Sequence, residues 1–288
     1  MTRQNIEHTL ISDLDSIYLP LADFLYQATK SQAGSLVVGV NGAQGAGKST
    51  LCKLLKIILE QGFDLRVCGF SIDDIYLTRA ERCTLAKTVH PLLLTRGVPG
   101  THDVAMGCQL LDQLRVAKAN RTIEIPLFNK ALDDRYPRSE WLKVSGPFDL
   151  ILFEGWCVGA KPQDEKALRK PINSLEKNED PDGIWRRYVN WQLKDNYARL
   201  FVQLDFLVML KVPDMESVFR WRSLQESKLA ASVDPGHCSR IMSPSSLETF
   251  LMHYERLTRS MLEEMPTRAD VVLAINQNHR IDTLSFRQ

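Results

Sequence analysis

Leu36-Val37-Val38-Gly39-Val40-Asn41-Gly42-Ala43-Gln44-Gly45-Ala46-Gly47-Lys48-Ser49-Thr50 decides the fold. A short, mostly β-branched apolar run precedes Gly-x-x-x-x-Gly-Lys-Ser, and Leu51, Leu54, Leu55, Ile58 and Leu59 follow at helical spacing. The run reads as a buried parallel strand, and the later set as the inner stripe of a helix. Between them lies a phosphate-binding loop of the Walker A type, made by Gly42, Ala43, Gln44, Gly45, Ala46, Gly47, Lys48, Ser49 and Thr50. Glycines let successive backbone N–H groups turn toward one anion, and the helix N-terminus beyond adds partial positive charge. Lys48 can reach the β- and γ-phosphates, and the Ser49 hydroxyl can ligate Mg²⁺. A glycine-rich turn with one exposed lysine is the bland alternative, but it does not require both flanking elements. The stretch predicts binding of a nucleoside triphosphate such as ATP with Mg²⁺.

Moving outward, Leu65-Arg66-Val67-Cys68-Gly69-Phe70 reads as a second strand running into Ser71-Ile72-Asp73-Asp74-Ile75-Tyr76. Carboxylates at the carboxyl end of a parallel strand stand on the edge where open α/β sheets bind ligands. A kinase needs one there to accept the proton of the attacking hydroxyl, and Asp73 is the candidate. A helix cap is the ordinary use for the other acid. The run Phe148-Asp149-Leu150-Ile151-Leu152-Phe153-Glu154-Gly155-Trp156 is a second near-continuous apolar strand ending in a carboxylate, as a Walker B strand does. Glu154 would then hold Mg²⁺ with Ser49, most simply through water, because Mg²⁺ gives up its hydration shell reluctantly.

The loop Arg96-Gly97-Val98-Pro99-Gly100-Thr101-His102-Asp103 should lie beside the phosphate site, which makes Arg96 and His102 candidate substrate ligands. Asp103 looks like the N-cap of a helix carrying Leu110, Leu111, Leu114 and Ala117. Ile123–Phe128 reads as one short strand, near an edge because of Pro126. Asn129-Lys130-Ala131-Leu132-Asp133 imitates a guanine-reading motif, but Asp133 comes one residue late and no switch motif accompanies it. Lys130 and Arg135 suit anion binding, although a solvated charged loop would look the same. In Arg220-Trp221-Arg222 the arginines stand about 200° apart on a helix and cannot share one phosphate. Arg222 can pair with Glu226 at i,i+4, which leaves Arg220 as the candidate lid arginine.

The chain's 288 residues carry a net charge of +1, which gives no electrostatic footprint for nucleic acid or a membrane surface. No apolar run approaches the roughly 18 residues that span a bilayer. The first residues lack a signal-peptide core, so the expected compartment is the cytoplasm. Six cysteines without a C-x-x-C pair read as buried, reduced thiols. The sequence is silent on oligomeric state, and a monomer is compatible with it.

Gly42–Ser49, Ser71-Ile72-Asp73-Asp74-Ile75-Tyr76-Leu77, Arg96–Asp103 and Phe153-Glu154-Gly155-Trp156 occur in the order of the P-loop glycerate kinase family. From about residue 36 the chain resembles the plant-type D-glycerate 3-kinases and their fungal and bacterial relatives, which stand with uridine kinase, phosphoribulokinase and bacterial pantothenate kinase. The resemblance implies Asp73 as general base and brings Tyr76 into the substrate site. It also makes Phe128-Asn129-Lys130, Asp134-Arg135 and Arg220-Trp221-Arg222 family elements. Asn129 stands where relatives usually carry Asp, Ile75 replaces the common Phe, and 160–200 matches the plant enzymes poorly.

The expected architecture is an α/β P-loop kinase fold: a parallel sheet of about five strands, helices on both faces and a small lid. Residues 1–33 would form a helical extension packed on the core, and 34–288 the kinase domain with a surface insertion at 160–182 and the lid at 214–240. The expected activity is transfer of the γ-phosphate of ATP to a small-molecule hydroxyl, with a hydroxy acid as substrate. Arg96 or Arg135 would grip its carboxylate better than Lys130, because a guanidinium offers two parallel hydrogen bonds. The same cations suit a sugar phosphate or a pantothenate-like acid, a nucleoside stays an alternative acceptor, and only the resemblance favours D-glycerate. The alternative from another class is an ATP-dependent switch that docks a protein on 160–182.

Overall fold

The computed structural model describes residues 14–232 and 242–287. A π-helical turn at Leu14–Tyr18 leads into α1 (Leu19–Lys30), and β1 (Leu36–Gly42) delivers the chain through the phosphate loop into α2 (Lys48–Gly62). Next come β2 (Val67–Ser71), a 3₁₀ turn at Ile72–Ile75, α3 (Arg79–Thr88) and α4 (Val104–Arg115). Two small hairpins follow, built from β3 (Thr122–Ile125), β4 (Phe128–Asn129), β5 (Asp134–Arg135) and β6 (Leu142–Ser145). The second half holds β7 (Leu150–Gly155), α5 (Ser174–Glu179), α6 (Ile184–Lys194), α7 (Asn196–Phe201) and β8 (Phe206–Lys211). It closes with α8 (Met215–Ser232), α9 (Pro244–Glu264), β9 (Val271–Ile275) and β10 (Ile281–Phe286).

The central sheet has the order β10-β9-β8-β1-β7-β2. Its five inner-run strands, β9 to β2, are parallel, and β10 adds an antiparallel edge beside β9. This sixth strand was not expected. Its residues are half-buried or exposed, so it lacks the unbroken apolar run that marked the others. Successive side chains point to opposite faces, so the β1 run is buried on both sides. Leu36, Val38 and Val40 join Leu51, Leu55 and Leu59 of α2, while Val37 shares the other face with Leu110, Leu111 and Leu114 of α4. Leu21, Ala22 and Leu25 of α1 belong to the first of these clusters.

Three aspartates set the starts of the strands. Asp149, Asp205 and Asp270 each stand one residue before β7, β8 and β9. Asp149 Oδ2 accepts the Arg66 N–H at 2.7 Å, Asp205 Oδ2 the Val37 N–H at 2.7 Å, and Asp270 Oδ2 the Leu207 N–H at 2.8 Å. Each carboxylate thereby holds the neighbouring strand in register from its amino end, through a charge-assisted bond.

Two expectations change. Ile123–Phe128 is not one strand: the chain breaks at Pro126, which has no N–H to donate, and its two halves pair with β6 and β5 in separate sheets. The 160–182 segment is largely exposed but is not a free loop. Glu176 and Asp180 are buried, and the guanidiniums of Arg256 and Arg186 pair with them at 2.6 and 3.0 Å. Of the lid expected at 214–240, the part up to Ser232 is helical, and residues 233–240 lie outside the described residues, as do residues 1–13 of the N-terminal extension.

Asp205→Ala should lower unfolding free energy by about 1.5–3 kcal/mol in urea titration, and Asp205→Asn by less, because it keeps an acceptor for Val37. Equal stability of all three proteins would show that these carboxylates do not clamp the strands.

Candidate active site

The phosphate loop, Glu154 and the Asp73 turn sit at the carboxyl edge of β1, β7 and β2. The parallel register pairs Glu154 with Val40 on one side and Ser71 on the other, so Glu154 stands between the phosphate loop and the Asp73 turn. The loop bends through Gly45 (φ +79°) and Gly47 (φ +93°), a backbone region that favours glycine. Ser49 begins the first turn of α2, and its hydroxyl donates to Glu154 Oε1 at 2.6 Å. The Lys48 ammonium donates to the Ala43 carbonyl at 3.1 Å. Burial lowers its pKa, while the negative charges of Glu154 and then Asp73 act in the opposite direction. A cleft of about 670 Å³ opens at Ser49, Ser71, Asp74 and Glu154 and runs along the free edge of β2.

The two adjacent aspartates have different jobs. Asp74 closes a capping box: it accepts the Ser71 N–H at 2.9 Å, while Ser71 caps the 3₁₀ turn. Burial, together with the charges of Asp73 and Glu154, pushes its pKa up to about 6 against the pull of the Ser71 N–H. Asp73 instead holds two side chains. Tyr76 donates its hydroxyl to Oδ1 at 2.8 Å, and Lys130 its ammonium to Oδ2 at 2.5 Å. Burial alone would raise this carboxyl, but the Lys130 charge and the two hydrogen bonds outweigh it and hold the pKa below the usual carboxylate range.

Lys130 is aimed by the β4–β5 hairpin. Asn129 Oδ1 accepts the N–H groups of Ala131 and Leu132, both at 3.0 Å, and this side-chain turn sets the hairpin tip. An aspartate could accept the same bonds, so the departure at 129 leaves the turn intact. The hairpin is anchored by Arg82, which is fully buried and donates to the carbonyls of Leu94 at 2.7 Å and Asp133 at 2.6 Å. Nothing in the sequence marks Arg82, which lies in a helix of otherwise polar character.

Both arginines expected as the carboxylate grip have partners within the protein. Arg96 is ion-paired with Asp133 and lies over the Phe128 ring, 5.5 Å from its centre. Arg135 donates to the Tyr76 carbonyl at 2.7 Å and approaches Asp103 at 3.6 Å, which leaves its buried Nε without a protein partner. Both forks are committed, and Lys130 is the cation on Asp73. His102 is buried against Tyr76, their rings stacked at 4.5 Å. Its loop is held from both sides: Trp156 donates to the Gly97 carbonyl at 2.8 Å and Tyr254 to the Arg96 carbonyl at 2.9 Å.

Helix α8 packs against the phosphate loop, and a Cβ built on Gly45 would touch Trp221 Cβ at 3.4 Å. The two arginines beside Trp221 diverge, as their spacing requires. Arg220, the expected lid arginine, is exposed and donates to Gln277 at 2.5 Å and Ser217 at 3.1 Å. Arg222 pairs with Glu226 at 2.5 Å, but its Nε is buried without a partner and its charge acts on Tyr254 beside the 96–103 loop. The buried unpartnered nitrogen is therefore on Arg222, while Arg220 is exposed.

Buried polar groups without protein partners call for an explanation. Among the described residues these include the Gln44 amide of the phosphate loop, Arg222 Nε, Arg135 Nε and His102 Nε2. Gln44 lies within the phosphate loop, where a polyanionic ligand would supply a missing partner. No group of three or more His, Cys, Asp or Glu side chains able to hold a metal occurs among the described residues. One hydroxyl and one carboxylate, Ser49 and Glu154, suit Mg²⁺ carried on phosphates, since that ion keeps most of its water. No helix among the described residues is long and apolar enough to cross a membrane.

The phosphate loop, the carboxylate-ended neighbouring strand and the acid at the end of β2 define a P-loop kinase that phosphorylates an alcohol group of a small molecule. No protein-family model matches the chain. It is 34% identical over 252 residues to the uncharacterized kinase mug58 of Schizosaccharomyces pombe, covering 85% of this chain and 87% of that one. It is 29% identical over 250 residues to the chloroplastic D-glycerate 3-kinase of Arabidopsis thaliana, covering 84% of this chain and 52% of the plant protein. The solved D-glycerate 3-kinase of Cryptococcus neoformans superposes with a TM-score of 0.76 at 26% identity, over 94% of this chain and 99% of the other. The chain belongs to the P-loop glycerate kinase family.

Asp74 prefers its neutral form in the folded protein, with a pKa near 6 against an ordinary 3.8. Its favourable contribution is complete below the lower value and is lost as pH rises through the higher. In chelator, the melting temperature of Asp74→Asn should therefore gain on the wild type between about pH 4 and 6. Parallel pH profiles for the two proteins would refute the burial of this charge.

Proposed function

We propose that this protein transfers the γ-phosphate of ATP to D-glycerate, yielding 3-phosphoglycerate and ADP. One observation carries the phosphotransfer reading: Glu154, bonded to the Ser49 hydroxyl, pairs in register with Ser71, which caps the turn bearing Asp73, so nucleotide and acceptor groups stand side by side on one sheet edge. The choice of D-glycerate is supported by the names of the Arabidopsis and Cryptococcus relatives.

Gly42 to Thr50 would wrap the phosphates, with Lys48 on the β- and γ-groups. Ser49 and Glu154 would hold Mg²⁺, which when bound neutralises charge on the phosphate oxygens. Asp73 is a carboxylate at neutral pH, and each of its oxygens keeps a lone pair beyond those used by Tyr76 and Lys130. It accepts the hydrogen bond of the acceptor hydroxyl and takes its proton as the new O–P bond forms and the bond to the leaving ADP oxygen breaks. Lys130 beside it offers positive charge for the acceptor's carboxylate, and Arg222 takes the role of the lid arginine expected of Arg220. Little covalent work falls to the protein, so positioning and charge neutralisation supply most of the rate. The segment 160–182 adds no argument for a protein-gating role, since its carboxylates Glu176 and Asp180 are turned inward.

A coupled ADP-release assay against D-glycerate, uridine, pantothenate and ribulose 5-phosphate should show strong stimulation by D-glycerate alone. In the same assay Asp73→Asn should lose about 10²–10⁴ in kcat with ATP affinity kept. Strong stimulation by another acceptor and none by D-glycerate would reject the substrate. Full activity in Asp73→Asn would reject the base.

A further inference from the structure

The orphaned nitrogen of His102 has a definable protonation state. The loop carrying the ring is fixed before the ring is placed. Thr101 is fully buried and its hydroxyl donates to the Val98 carbonyl at 2.7 Å. On either side of His102, Leu77 N–H reaches the Thr101 carbonyl at 3.0 Å and Asp103 N–H the Ile75 carbonyl at 2.7 Å. The imidazole is 4% exposed, stacked on Tyr76 and edge-on to Tyr197.

Nδ1 lies 2.5 Å from the Tyr197 hydroxyl, and that hydroxyl already accepts the Gly100 N–H at 3.0 Å. A phenol has one proton to give. If it goes to His102 Nδ1, the tyrosine is satisfied and the imidazole proton resides on Nε2. If instead Nδ1 carries the proton, both the Tyr197 hydroxyl proton and the Nε2 lone pair lack partners. Each buried orphan costs about 1–3 kcal/mol, which selects the first arrangement. Nε2 is then an N–H donor with no protein acceptor. Burial also keeps the ring neutral, holding its pKa near 3 against the opposing pull of Asp73. Neutrality matters beside a general base: a second cation would depress Asp73 further, whereas a neutral donor orients an oxygen without that penalty.

We infer that His102 Nε2–H donates a hydrogen bond to an oxygen of the acceptor other than the one phosphorylated, with Tyr197 as the positioning residue that sets the tautomer. The inference rests on the small-molecule kinase reading, and the ligand class it selects is a compact polyol or hydroxy acid. A site built around a buried donor rejects an analogue lacking the matching oxygen far more strongly than an apolar pocket rejects a missing methylene.

Long-range ¹⁵N–¹H correlation spectra of the full chain test this directly, with a non-hydrolysable ATP analogue and whichever acceptor turns over in the ADP-release assay. The identity of the acceptor can therefore fail without deciding this test. The expected spectrum shows His102 neutral and Nε2-protonated from pH 5 to 8, with Nε2 shifting when acceptor is added and Tyr197→Phe giving a mixture of tautomers. In kinetics, His102→Asn should raise the acceptor KM about tenfold with nucleotide KM unchanged. His102→Gln, which returns an N–H near the Nε2 position, should recover part of the loss. An Nδ1-protonated ring in the wild type, or no Nε2 shift with an acceptor that is turned over, would overturn the inference whatever the variants do.

Discussion

The hydrogen bond from the Ser49 hydroxyl to Glu154 joins two parts of the chain 105 residues apart, and the rest of the site is arranged around it. It forms because β1 and β7 lie parallel in one register, Leu36 against Leu150 through Asn41 against Gly155. That register is defended from the opposite end of the sheet. The Asp149 carbonyl accepts the Leu36 N–H at 2.9 Å at the start of that pair, while the Asp149 and Asp205 carboxylates pin β2 to β7 and β1 to β8, where a slip would cost a charge-assisted bond as well as backbone pairing. The apolar faces then add Leu55 and Leu59 on one side and Leu111 on the other, each fully buried and each contributing about 1.5–3 kcal/mol. Chemistry at one edge of the sheet is therefore a consequence of clamping at the other.

Opposite charges are distributed over this edge so that none is left alone. Glu154 and Asp73 flank Lys48, and Lys130 closes on Asp73 from the hairpin. Asp74 has only the Ser71 N–H for direct support, and its raised pKa follows. The arginines of the acceptor side are held by the protein's own groups, Arg96 by Asp133 and Arg135 by the Tyr76 carbonyl. They shape the pocket wall rather than reach across it. The contacts of Trp156 with the Gly97 carbonyl and of Asn41 with the Trp156 and Val158 carbonyls link this wall back to β1.

Most of the frame was readable from the chain because buried parallel strands are continuous apolar runs and helix ends carry their own caps. The Walker A strand and loop, the strand ending at Glu154 and the Asp103 cap are of this kind. An edge strand such as β10 has no such run, and the break at Pro126 turns on which partner each half finds. The aspartates before β7, β8 and β9 did carry a signal, an acid immediately preceding each apolar run, which periodicity alone passes over. Long-range partners left no trace: the Tyr197 hydroxyl that orients His102 is 95 residues away. The choice between Arg220 and Arg222 likewise depended on where α8 lies over Gly45, and helical spacing could say only that they diverge.

The central claim is that Glu154, held by Ser49 at the junction of β1 and β7, is the protein's carboxylate for the metal that accompanies the nucleotide. Calorimetric titration of ADP with and without Mg²⁺, on the wild type and on Glu154→Gln, tests it without turnover. The account predicts that Mg²⁺ tightens ADP binding to the wild type at least about tenfold, a difference of 1.4 kcal/mol. Glu154→Gln should bind metal-free ADP as well as the wild type does, but gain little from Mg²⁺. A variant that keeps the full Mg²⁺ increment would contradict it.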